Sequence, residues 1–207
     1  MPEPRGSAER AAPVHSVIRA HPERDRTRHA PRLLAAGLVA HVGFVFDGRP
    51  QVIPMTYHYA EAEPFRLYLH GGVEGRLMAQ LASGATVCVA VTELDGLVYS
   101  RTAPNHSVNY RSVVLTARAA AEQPGAEACG RILEAMIARY FPGRSAGVDY
   151  EAATGAQLAG TSLVALEIEE WSAKVREGGP TGPGDQDPSR PGSAGVVDLR
   201  RRDQLTA

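Results

Sequence analysis

Residues 38–59 read LVAHVGFVFDGRPQVIPMTYHY, and this stretch decides the fold. Two runs rich in β-branched and aromatic residues, 38–46 and 51–59, flank Asp47-Gly48. That dipeptide readily takes the positive backbone φ of a tight hairpin turn, so the runs read as antiparallel partners. Pro54 removes one ladder donor from the second run, which therefore needs an edge, a bulge or a neighbour that is not a strand. Working outward, residues 65–70 (FRLYLH), 85–92 (ATVCVAVT), 112–120 (SVVLTARAA) and 162–168 (SLVALEI) supply four more β runs. Gly71-Gly72 breaks the first of these, and Leu77, Met78 and Leu81 then give residues 75–83 helical spacing. Cys129, Ile132, Leu133, Met136, Ile137 and Tyr140 recur at three- and four-residue steps, which predicts an amphipathic helix over 126–140, stopped by Phe141-Pro142-Gly143. A further helix is expected over 28–36. Six strands with few helices predict a mainly β fold with peripheral helices, a closed or nearly closed antiparallel barrel. Closure would remove the exposed edges of such apolar strands.

With 207 residues the chain is long enough for one domain. Hydrophobic residues make up 43% and charged residues 22%, too apolar a balance for a wholly disordered chain. A net charge of −1 gives no basic surface for nucleic acid. No apolar run approaches the ~18–20 residues of a membrane span, and the N-terminus lacks the apolar core of a secretion signal. Two cysteines make no disulfide framework. A cytoplasmic protein with neither membrane nor nucleic-acid partner is expected. Composition divides the chain into a flexible arm (1–25), the barrel domain (26–176), a disordered Gly/Pro-rich linker (177–195) and a C-terminal tail (196–207). Ordering the linker would cost roughly 1–2 kcal/mol per residue with little apolar area to offset it. Val196, Val197 and Leu199 give the tail an apolar segment that either docks back on the body or frays.

No dinucleotide-binding glycine signature, phosphate-binding P-loop, zinc-protease pair or serine elbow occurs. Cys88 and Cys129 sit within apolar patterns and read as packing residues. No two of the seven histidines have metal-ligand spacing on a helix, so no protein-bound metal is expected; a single axial histidine for haem stays open. Three constellations remain. In YLHGGVEGRLMAQL a strand ends at His70, and Gly75-Arg76 opens a helix whose free N–H groups and positive charge suit a phosphate. An ordinary strand-to-helix turn with a solvated arginine explains the same residues. SRTAPNHSVNYRSV concentrates Arg101, Asn105, His106, Asn109, Tyr110, Arg111 and Ser112 before an apolar strand, as a recognition site or as a plain polar loop. EEWSAKVREGG places Lys174 and Arg176 after the last strand.

Taken in order, HVGFVFDGRPQVIPMTYHY, LYLHGGVEGRLMAQL, TVCVAVTELDGLVYSR, HSVNYRSVVLTARA and SAKVREGGP resemble the pyridoxamine 5′-phosphate oxidase-like split-barrel family. The branch is that of flavin-nucleotide-binding proteins related to nitroimidazole-resistance reductases. The resemblance runs over residues 28–180. It implies a six-stranded antiparallel split β-barrel of FMN-binding type, a homodimer, and FMN in the groove between subunits. Ile53, Pro54, Met55 and Thr56 match the strand whose backbone faces the flavin ring. His70, Gly75 and Arg76 match the phosphate turn. Asn109, Tyr110, Arg111 and Ser112 match a polar flavin-contacting entrance, and Lys174 a basic position near the end of the barrel. His70, His106 and Tyr110 are the candidate catalytic groups, donating a proton or orienting an acceptor. The implied activity is that of an oxidoreductase on a small organic substrate, with NAD(P)H as electron donor. A haem-binding or haem-degrading protein, a non-catalytic flavin carrier or sensor, and use of a deazaflavin are the alternatives. Relatives often carry an aromatic where Ser193 precedes Ala194-Gly195-Val196, and the C-terminal arginines of the vitamin B6 oxidase are absent, so pyridoxine phosphate is not the expected substrate.

Overall fold

The computed structural model describes residues 16–61 and 65–199. Eight strands form one sheet: β1 (Ala40–Phe46), β2 (Arg49–Met55), β3 (Tyr57–Ala60), β4 (Arg66–Gly72), β5 (Val87–Tyr99), β6 (Ser107–Ala119), β7 (Thr161–Arg176) and β8 (Gly195–Asp198). Four helices accompany it: α1 (Ala30–Ala36), α2 (Arg76–Ala82), α3 (Ala126–Tyr140) and α4 (Gly155–Ala159). The predicted hairpin forms, with Asp47 at φ 50 and Gly48 at φ 68 and Phe46 opposite Arg49.

The sheet corrects the expected six-stranded split barrel. Its order is β2-β1-β5-β6-β7-β4-β3, every recorded pairing is antiparallel, and β8 joins β5 off this path. No ladder links β2 to β3, so the sheet is not closed. The reason lies at Thr56. The run read as one strand over 51–59 breaks there, β2 ending at Met55 and β3 starting at Tyr57 on opposite ends of the sheet. At the break the Tyr57 N–H donates to the Tyr140 hydroxyl oxygen at 3.0 Å, while Tyr57 pairs with Leu69 of β4. The second added strand is β8, which pairs Gly96–Tyr99 of β5. Since β6 holds one edge of β5 throughout, β8 takes the edge that β1 occupies further down.

Alternation decides what is buried. Val42, Val89 and Leu115 stand side by side on the inner face, as do Ala40, Val91, Val113 and Ala173. Leu77, Met78 and Leu81 turn α2 into the same core, and Trp171 packs at its margin with its ring 5.2 Å from that of Phe65. On the outer face Val45, Val52 and Val114 remain exposed. Cys88 lies there too, exposed rather than packed inside as its apolar context suggested.

The end of α3 ties the layers together. Arg139 donates to the carbonyls of Tyr57 (2.5 Å), Leu34 (3.2 Å) and Gly37, and its guanidinium lies 4.5 Å over the Tyr57 ring. The Tyr140 hydroxyl donates to the Leu38 carbonyl at 2.6 Å. From Ser16 the N-terminal segment runs along β7: Ser16 donates to Glu170, Lys174 to the Ala20 carbonyl, and Arg26 N–H to Ala173. Residues 1–15 of the expected arm and 200–207 of the expected tail lie outside the described residues.

Two substitutions separate packing from clamping. Leu115→Ala should cost about 2–5 kcal/mol as a fully buried core truncation. Tyr140→Phe, which strips the Tyr57 N–H of its acceptor, should cost about 1–3 kcal/mol. Urea midpoints read both, and an unchanged midpoint for Tyr140→Phe would remove the clamp from the stability account.

Candidate functional site

β4 sends Leu67 and Leu69 into the core and so presents Tyr68 and His70 on its other face. There α3 and α4 stand off the sheet and leave a cavity of about 350 Å³, lined by Thr56, His70, Met136, Tyr140, Phe141 and Leu158 among others. The lining is mostly apolar. An adjoining cavity of about 270 Å³ shares Leu133, Ile137, Ala153, Gln157 and Leu158 with it. The Nδ1 atom of His70 is buried and meets no hydrogen-bond partner. His58 on β3 lies directly opposite Tyr68, ring centroids 5.9 Å apart, and its Nδ1 is likewise buried without a partner. Burial, and then the nearby positive charge of Arg139, push the His58 pKa down and favour the neutral imidazole. Burial pushes the Tyr57 phenol up to about 12, and it donates to the Leu34 carbonyl at 2.5 Å.

The neighbourhood of this cavity gathers several sequence-predicted residues. Ile53 and Met55 turn their side chains toward the core, whereas Val52 and Pro54 face out. β2 is an end strand of the sheet path, which accommodates a residue without an N–H at Pro54. The Met55 methyl lies close to Gly71, 3.8 Å from where a Cβ would stand. Gly75 N–H bonds the Gly72 carbonyl at 2.9 Å and closes the turn into α2. Arg76 is the first residue of α2, and its guanidinium stands 5.7 Å over the Phe46 ring. Thr56 and His70 thus share the cavity wall, with Met55 beside Gly71 next to it, whereas the Arg76 guanidinium stands at Phe46, toward the hairpin end of β1.

The second predicted group is elsewhere. Asn109, Tyr110, Arg111 and Ser112 lie within β6 itself, which begins at Ser107 rather than at Ser112. His70 pairs with Leu163 near the start of β7, and Tyr110 with Arg176 at its end. Thirteen positions at ~3.3 Å each separate the two along that strand. His106 is exposed, its Nδ1 3.2 Å from the Ala103 carbonyl. Within one chain His70, His106 and Tyr110 are therefore not brought together. Arg111 forms a two-pronged pair with Asp95, both contacts at 2.8 Å. Asn109 is buried between Arg176, which donates to its Oδ1 at 2.5 Å, and the Gly178 carbonyl, which its Nδ2 reaches at 3.0 Å. Asn109 and Arg111 line a cavity of about 680 Å³ with Asp95, Val175 and residues of the C-terminal segment. Ser112 and Lys174 sit beneath the N-terminal segment instead.

Sequence reasoning missed Met136, Tyr140 and Leu158 as cavity wall, and Asp95 as the partner of Arg111. The three- and four-residue spacing of α3 signalled a buried face but not what that face encloses. Among the described residues no helix is long and apolar enough to cross a membrane, and no group of three or more His, Cys, Asp or Glu is placed to hold a metal ion.

An antiparallel sheet with α2 in its core defines the class, and comparison with known proteins gives the family. The family model described as pyridoxamine 5′-phosphate oxidase matches residues 26–175, and the chain belongs to that family. It is 33% identical to the FAD and haem binding protein from Mycobacterium smegmatis, over 85% of this chain and 84% of that one, with a TM-score of 0.72. It is 32% identical to the flavocytochrome Anf3 from Azotobacter vinelandii, over 89% and 83%, with a TM-score of 0.73. A putative 5-nitroimidazole antibiotic resistance protein from Bacteroides thetaiotaomicron shares the fold at 20% identity, over 72% and 82%, with a TM-score of 0.56. No curated protein matches the sequence.

The His58 environment carries a pH dependence. A lowered folded-state pKa means that the unfolded chain binds the proton more readily, so this contribution is complete above about pH 6.5 and falls on acidification. Urea midpoints compared at pH 7.5 and pH 5 should show a smaller acid loss for His58→Gln than for the unchanged protein. An identical loss would mean that His58 is not held neutral.

Proposed function

We propose that this protein is a flavin-dependent oxidoreductase that also holds a haem, with electrons passing between the two groups. The observation that carries this reading is His70: an imidazole with a buried, unpartnered nitrogen on the wall of a largely apolar cavity. A haem asks for that donor set, one axial imidazole and an apolar slot. Adjoining cavities of about 350 Å³ and 270 Å³ that share a wall of α3 and α4 residues would have to open into one another to take a flat macrocycle lying along α3. His70 would ligate the iron, while Met136, Phe141 and Leu158 exclude water from the ring. Similarity to a FAD and haem binding protein at 33% identity and to a flavocytochrome at 32% supports this over a protein that carries flavin alone.

The flavin reading rests on different residues. Among the described residues Arg76 pairs with no carboxylate, and a guanidinium in that state suits a phosphate bidentately. Main-chain groups of Ile53, Pro54 and Met55, on a strand at the end of the sheet path, and of Thr56 just after it would orient the ring edge. FMN and FAD both carry the phosphate that Arg76 would bind; the FAD and haem binding protein from Mycobacterium smegmatis favours FAD, and the family resemblance favours FMN. A flavin takes hydride as a two-electron donor delivers it and releases electrons singly, which is the chemistry needed between a nicotinamide and an iron centre. His70 then serves as iron ligand rather than as proton donor to a substrate.

A homodimer completes the assignment. Tyr110 lies at the far end of β7 from His70, with Asn109, Arg111, Ser112 and Lys174 beside it, and on this reading a second copy supplies one of the two groups to each flavin. The outer sheet face with exposed Val45, Val52 and Val114 is the surface available for that contact.

Two titrations and one column run test this reading. Purified protein should take up one haem and one flavin per chain, with separate visible bands, and NADPH should bleach the flavin band first. His70→Ala should lose haem and keep flavin. Arg76→Ala should weaken flavin binding by about 1.5–3 kcal/mol and keep haem. Haem uptake undiminished in His70→Ala removes the cavity assignment, and a monomer holding stoichiometric flavin removes the shared site. Flavin that binds but resists NADPH would leave a carrier or sensor.

A further inference from the structure

We propose that residues 177–199 form a latched strap that gates the cavity containing Asn109 and Arg111. The cavity walls divide evenly: Asp95, Asn109, Arg111 and Val175 come from the sheet, and Glu177, Gly178, Val196 and Asp198 from this segment. Access to Arg111 therefore depends on where the segment lies.

Its position comes from attachments rather than from a core of its own. Gly, Pro, Asp and Ser dominate residues 177–195, and the apolar side chains beyond them stay largely in solvent, Val197 at 50% and Leu199 at 41% exposed. Polar contacts hold the strap. The Asp185 carboxylate, itself buried, accepts from Ser100 Oγ (2.8 Å), Arg101 N–H (2.8 Å) and Gly182 N–H (2.7 Å). Burial pushes the Asp185 carboxyl up, but these donors outweigh it and hold the group below the usual carboxylate range. From the same turn the Arg101 guanidinium donates to the carbonyls of Arg190 (2.6 Å), Pro191 and Gly192. Beyond the latch, β8 completes the attachment by pairing β5, and Leu199 N–H reaches the Asp95 carbonyl at 2.9 Å.

Close approach shows that the docking is fitted. A Cβ at Gly182 would stand 2.7 Å from Ser100 Oγ, 2.8 Å from Asp185 Oδ2 and 2.9 Å from Asn105 Cβ. A Cβ at Gly96 would meet the Val197 carbonyl oxygen at 2.9 Å. Glycine is thus required on the strap at the latch and on the sheet beneath β8. A segment held by a few hydrogen bonds and little buried apolar surface opens locally, without unfolding of the long β6–β7 ladder.

Hydrogen exchange on the full-length chain, read on peptides covering 195–199, β6 and β7, tests the latch. Asp185→Asn and Gly182→Ala should each speed exchange at 195–199 by roughly tenfold or more and leave β6 and β7 unchanged. Access is read separately by Val175→Cys in a chain whose Cys88 and Cys129 are serine. Its labelling by a thiol reagent should accelerate in step when Asp185→Asn or Gly182→Ala is added. Unchanged exchange at 195–199 in both variants overturns the latch. Faster exchange without faster labelling at position 175 overturns the gate.

Discussion

Arg139 brings a full positive charge to the junction of α1, β1 and β3 and spends it on three backbone carbonyls. Those carbonyls belong to Leu34, Gly37 and Tyr57, points where the chain leaves a helix or changes strand and has no ladder to satisfy it. Tyr140, one residue on, takes the Tyr57 N–H and the Leu38 carbonyl. Together they hold the C-terminal end of α3 at the place where the sheet fails to close. The cavity beside His70 lies against this pinned end, with Met136, Ile137, Tyr140 and Phe141 in its wall.

Leaving the sheet open has a chemical consequence. Among the described residues no strand pairs the second edge of β2, so Pro54 costs no ladder bond to a second neighbour there. The same break at Thr56 delivers a hydroxyl-bearing residue to the cavity wall, within the same lining as His70. Charge is handled differently at the other end of the long strands, where Arg111 is already committed to Asp95 and Asn109 to Arg176, and where a segment of the chain's own C-terminal part closes the space.

Local chemistry was legible where it is strong. The Asp47-Gly48 turn and the α3 pattern are each set by neighbouring residues, and each stands where its sequence implies; the break expected at Gly71-Gly72 does not occur there, because both glycines stay in β4 by pairing Ser162 and Thr161 of β7. Strand ends were less legible: β5, β6 and β7 extend well past their apolar runs, because polar residues such as Asn109 and Arg111 are held in strand by partners distant in sequence. Pro54 marked the run as irregular, but the break at Thr56 was not legible, since the group that meets the Tyr57 N–H there is Tyr140, more than eighty residues away. Cys88 illustrates a related ambiguity, as an apolar run buried on one face reads like one buried on both.

By itself the sequence determined a mainly β protein with an amphipathic helix near its middle, a glycine-marked turn into Arg76, and a likeness to one family running through most of the chain. Only the tertiary structure decided that the sheet stays open, that His70 faces an apolar cavity, that the two groups of predicted site residues lie far apart, and that Asp185 anchors the Gly/Pro-rich segment. The physical reason is range. Turn chemistry and side-chain periodicity act between neighbours, whereas cavities, unpartnered nitrogens and latches are products of which distant segments happen to meet.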